Sequence, residues 1–134
     1  MRVAMCLLAD FANTAEGGKL NVMGVFDRIL AKEFPTRHQS MYLVVRTLHE
    51  YSDSETTHDF VFKIESPDGA SVVNIEAKGE IGTMEPGQYG NMNQIIHLQG
   101  VEFERSGTYM VRVSIDGEPA AEVPLILARG NIPG

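Results

Sequence analysis

The chain has 134 residues, 43% of them hydrophobic and 22% charged, and a formal charge of −7. That length predicts one domain able to bury roughly two-thirds of its unfolded surface without disulfides or metals, and the composition excludes disordered, collagen-like and coiled-coil chains. The acidic balance argues against nucleic-acid binding, which needs clustered Lys and Arg, and the longest apolar run, residues 3–9, is too short to cross a membrane.

Residues 3–9 read as a strand that is apolar on both faces. Cys6 is the sole cysteine, so no internal disulfide forms. With no basic neighbour or helix N-terminus to lower its pKa, it reads as a small buried hydrophobe. Met1 and Arg2 ahead of this run give it a faint look of a secretion signal, but the run is short and meets Asp10 at once, so a cytoplasmic protein is expected. Gly17, Gly18 and Lys19 are expected to turn the chain into a second strand over 20–30, with Gly24 interrupting the alternation as a bulge would. Residues 41–48 are again apolar on both faces, which predicts a central strand.

Beyond the acidic stretch 49–59 the period is two. Phe60, Phe62 and Ile64 alternate with polar residues, and so do Val73, Ile75 and Ala77. Ser66-Pro67-Asp68-Gly69 predicts the hairpin between them. A long Gly- and amide-rich loop is expected over 82–94, followed by a strand at 94–98. Tyr109, Val111, Val113 and Ile115 alternate, then Asp116-Gly117-Glu118-Pro119 turns the chain into Ala121, Val123, Leu125 and Leu127. No stretch carries a helical stripe. Eight strands with close turns predict an all-β fold, an antiparallel, immunoglobulin-like β-sandwich over residues 1–128, with 129–134 as a flexible tail. The Cys and Trp markers of antibody domains are absent.

Two blocks carry a resemblance. Leu8-Ala9-Asp10-Phe11-Ala12-Asn13, then Gly18-Lys19-Leu20-Asn21-Val22-Met23-Gly24-Val25-Phe26-Asp27-Arg28-Ile29, are similar to a family of small bacterial proteins made of one domain of unknown function. Phe34-Pro35, Asn93-Gln94-Ile95 and Gly107-Thr108-Tyr109 extend the likeness over most of the chain. The resemblance implies a compact all-β domain and supplies no activity, cofactor or catalytic residue.

Three segments are candidates for a site. Asp10, Asn13, Lys19, Asn21, Asp27 and Arg28 form a polar block beside apolar strands, suited to a surface ligand; the simpler reading is turn capping by Asp and Asn. Residues 49–59 hold four carboxylates and two histidines, a donor set that calcium or zinc would accept. Their spacing matches no metal loop, so a solvated acidic loop is expected and no metal or cofactor is assigned. In the 82–94 loop, Tyr89, Asn91, Asn93 and Gln94 could hydrogen-bond a peptide edge or a sugar, with Met84 and Met92 adapting around it; a crossover between sheets is the alternative. This loop is the preferred binding surface.

No nucleophile elbow, zinc-protease helix, P-loop or dinucleotide fingerprint occurs, and His38, His49, His58 and His97 are scattered. Glu102 and Glu104 read as a solvated face screened by Arg105. Open edges and the apolar first strand favour a homodimer, edge to edge or face to face. The expected function is a non-enzymatic interaction module that binds a protein partner or itself, without nucleic acid or membrane. A small-ligand or carbohydrate-binding domain using the 82–94 loop is the alternative, and an unorthodox hydrolase a distant third.

Overall fold

In the computed structural model, which describes residues 1–131, apolar alternation becomes two facing sheets. The strands are β1 (Arg2–Thr14), β2 (Leu20–Phe26), β3 (Arg28–Ala31), β4 (Thr36–His49) and β5 (Thr57–Glu65). They continue with β6 (Ser71–Glu80), β7 (Gly90–Phe103), β8 (Gly107–Ile115) and β9 (Glu118–Arg129). One sheet has the order β2-β1-β4-β7 and the other β3-β9-β8-β5-β6. Between them lie Leu8, Met41, Leu43 and Val45 from the first sheet and Phe60, Phe62, Val111 and Leu125 from the second, all at most 2% exposed. The adjacencies β1-β4-β7 and β5-β8-β9 are those of strands A-B-E and C-F-G in an immunoglobulin-like sandwich. Tyr109 adds the matching corner: at the start of β8 its hydroxyl donates to the Arg105 carbonyl at 2.8 Å, and its ring meets Phe103 edge-on. Among the described residues no helix is long and apolar enough to cross a membrane.

The expected hairpins are present. Asp116 and Gly117 have φ of 53° and 81°, the two left-handed residues that a tight β8–β9 turn requires. Residues 66–69 likewise join β5 to β6.

Four expectations change. The run over 20–30 is two strands, because the chain leaves the first sheet at Asp27 and joins the second; the Asp27 carbonyl accepts the Ile126 N–H at 2.8 Å. The described residues thus form nine strands rather than the eight expected, and β3 runs parallel to β9 where the other pairings of these strands are antiparallel. Apolar residues continue through the crossing, so alternation gives no sign of it. Next, β7 begins at Gly90 and pairs with β4 along its length, which makes Asn91, Asn93 and Gln94 strand residues and shortens the loop. A long partner strand supplies ladder hydrogen bonds that weak strand formers accept. Finally, Gly24 is no bulge, because the β1–β2 register runs unbroken past it. Its φ is +69°, and a Cβ there would lie 2.5 Å from Asp10 Oδ2. At the other end of the chain, Arg129 still pairs with Ala31, one residue into the expected tail; residues 132–134 lie outside the described part.

Aspartates fasten the turns. Asp116 accepts the Asp59 N–H at 2.9 Å and a contact from His58 Nδ1 at 2.6 Å, which together hold its carboxyl below the ordinary range. The Ser66 hydroxyl and the Ala70 N–H do the same for Asp68. The Glu50 N–H, at 2.9 Å, does so for Asp53.

All three lowered pKa values favour the folded state above the unfolded carboxyl range and lose that advantage as protons bind. The thermal midpoint is therefore expected to fall steeply below about pH 4. By scanning calorimetry, an Asp53→Asn/Asp68→Asn/Asp116→Asn variant should show a flatter acid limb. Tyr109→Phe, which strands the Arg105 carbonyl beside a buried ring, should cost about 1–2 kcal/mol in urea unfolding at neutral pH.

Candidate functional site

The first sheet has a second side. Residues directly opposite in an antiparallel ladder point the same way, so the register names the outer face once the core residues are known. Phe11 pairs with Met23, and Ala9 with both Val25 and Tyr42; Tyr42 in turn pairs with His97. The neighbouring rows are Leu7, Val44 and Ile95, then Met5, Arg46 and Asn93. Met23 is 65% exposed, Val25 61% and Phe11 43%. Side chains around Val44 and Ala9 cover them completely, although neither is in the sandwich core.

An aromatic stack organises this face. The His97 ring lies 4.3 Å from Tyr42 at an interplanar angle of 1°, held by a 2.7 Å contact between Ser40 Oγ and His97 Nε2. Phe11 meets Tyr42 edge-on at 5.4 Å. Charge in the central rows is confined to Arg46, whose guanidinium donates to Asn93 Oδ1 at 3.1 Å. Further charges sit towards the ends, at Arg2 and in the Arg37–Glu102 pair. Beside the face an apolar cleft of about 320 Å³ opens between Val25–Phe26 and Val123–Pro124. The outer side of the other sheet is its opposite, with ion pairs between Arg112 and both Glu65 and Glu122 and between Lys78 and Asp59.

The expected site residues do not converge. Asp10 lies against Gly24, and Asn13 accepts a hydrogen bond from Asn21 at 3.1 Å. Asp27 and Arg28 stand where the chain changes sheet. Asn91 and Asn93 project from the far end of the outer face, about ten residues of strand and roughly 33 Å from Asn13. Gln94 is on the other side of β7, against Met92 Sδ. Tyr89, 77% exposed, ends a loop that leads into β7 and is tied down by Met84 N–H to Ser54 Oγ and by Thr83 to Glu55. Met84 is buried and Met92 packs on the core, so neither is free to adapt around a ligand.

In the acidic stretch the carboxylates are dispersed. Glu50 and Asp53 cap a short turn and Asp59 pairs with Lys78, and no cluster of three metal-ligating side chains forms among the described residues. Arg105 pairs with Asp68 rather than screening Glu102 and Glu104. Burial pushes the Cys6 thiol up to about 11, which keeps it protonated.

Sequence reasoning missed one hydrogen-bonded series. Thr56 Oγ1 is 2.7 Å from His58 Nε2, and His58 Nδ1 is 2.6 Å from Asp116 Oδ2. The order is that of a nucleophile, a base and an orienting acid. However, Thr56 Oγ1 also donates to the Asp53 carbonyl at 2.5 Å. The adjoining 490 Å³ cleft is lined by His58 and Asp116 and not by Thr56. The series ties the start of β5 to the β8–β9 turn. Its hydroxyl hydrogen is engaged by the Asp53 carbonyl.

Among solved structures, the chain is similar to an immunoglobulin-like protein from Pseudomonas aeruginosa, at 12% identity over 94% of both chains and a TM-score of 0.42. No curated protein matches it. The model of a family of unknown function, DUF6941, matches residues 4–128, and the chain belongs to that family.

Proposed function

We propose that this chain is a non-enzymatic interaction module that binds protein through the outer face of its β2-β1-β4-β7 sheet. The observation that carries the reading is the contrast between the two outer faces. A soluble sheet that ends at water carries polar residues on its outer side, as the β5-β8-β9 face does with its ion pairs. The opposite face exposes Phe11, Met23 and Val25 around a Tyr42–His97 stack on a chain of charge −7. Contiguous apolar surface of that kind is costly to leave in water and marks an interface.

Support for a small-ligand site at 82–94 is weaker, because Asn93 and Gln94 lie on opposite sides of β7 and Met84 is buried. The carboxylates of the acidic stretch are engaged in a turn cap and an ion pair, and the Thr56 hydroxyl donates to the Asp53 carbonyl, which fits structural roles for both. A cytoplasmic setting fits the single, protonated Cys6.

The test is photo-cross-linking in the chain's own host cell, with the reactive side chain at Val25 and, as control, at Lys78 on the ion-paired face. Protein adducts are expected from position 25 at several times the yield from position 78. Equal yields, or none from position 25, would remove this reading.

A further inference from the structure

Resting on that reading, we infer that the occupant of the outer face is a second copy of this chain, seated sheet against sheet about a two-fold axis. Charge selects the partner. An isologous interface sets each patch against itself, so a patch crowded with acidic residues would oppose its own kind. The central rows carry Arg46 alone, already bonded to Asn93, and no carboxylate. Elsewhere two copies of charge −7 repel, and these carboxylate-free rows are where they can meet. A basic partner would be drawn to the acidic surfaces instead.

Area agrees. Twelve outward positions in four rows, with strands about 4.8 Å and rows about 6.8 Å apart, give roughly 400 Å² in plan. Side chains standing proud of it raise the accessible area towards the lower end of specific interfaces, about 600 Å² per partner. Shape also fits self-packing. Phe11, Met23 and Val25 are exposed in one part of the patch, while Leu7 and Ile95 are half-buried and Val44 is buried in another. A two-fold arrangement can set the exposed side chains of each copy over the less exposed part of the other.

The experiment is sedimentation equilibrium on the full chain at about 10–100 μM, at low and high salt. The expected result is twice the chain mass, with association strengthened as salt screens the mutual repulsion of two acidic copies. Met23→Glu/Val25→Glu places four carboxylates across the two-fold interface and should weaken association by at least about 100-fold. Both positions are exposed, so the melting curve of that variant at high dilution should match the parent. Lys78→Glu, on the ion-paired face, should leave the dimer intact. A monomer throughout that range, a dimer that survives the double substitution, or association weakened by salt would overturn the inference. If the purified chain is monomeric while position 25 still cross-links to another protein, this inference falls and the interaction reading stands. If position 25 cross-links to nothing, both fall.

Discussion

The sheet that matters most depends on β4 being apolar on both of its faces. Met41, Leu43 and Val45 point into the sandwich, and Val44 points the other way yet is fully buried. A strand of this kind needs cover on its outer side, and β1 and β7 provide part of it. Leu7 and Ile95 flank Val44, while Ala9 and His97 flank Tyr42. The cover is itself apolar, so the need is passed outward to Phe11, Met23 and Val25. Adding strands widens the patch without ending it. Burial against another surface would end it.

The same constraint explains how charge is distributed. Carboxylates occur in turns, where they accept backbone N–H groups, and on the β5-β8-β9 face, where Arg112 and Lys78 pair with them. Within the first sheet, Asp10 turns towards Gly24 on the core side of β1 instead of joining Phe11 outside. Gly24 makes this possible, since any side chain there would displace the Asp10 carboxylate. The glycine therefore serves the cleanliness of the outer face as well as the conformation of β2.

Much of the fold was legible in the sequence for local reasons. Asp-Gly turns need left-handed residues that few other pairs supply, and alternation along β5 and β8 directly records which side is wet. The two-faced character of residues 3–9 and 41–48 also predicted central strands correctly. What was illegible depends on pairing. The crossing at Asp27 leaves alternation undisturbed, and the polar residues of β7 become a strand through β4. The candidate site suffers most, because Phe11, Met23, Tyr42 and His97 belong to four different strands. Only register puts them together. Polar residues such as Asn13, Asp27 and Tyr89 stand out in a sequence because hydrogen bonding is local chemistry, whereas the exposed apolar residues Phe11, Met23 and Val25 are joined only by strand pairing.

That outcome bears on how the edges and faces of this sandwich divide their risks. β9 carries Pro119 and Pro124 in the stretch that precedes its pairing with β3, where a missing N–H discourages a further strand. The second sheet adds paired charges on its outer side. Against those protections, a bare apolar face on the first sheet is inconsistent with simple avoidance of association. Association by edges can continue from one edge of a sheet to the other in an open series, while two-fold association by a face closes after two copies. A chain that discourages strand addition and leaves one face apolar therefore favours contacts that saturate, which is the property expected of an interaction module rather than of an aggregating sheet.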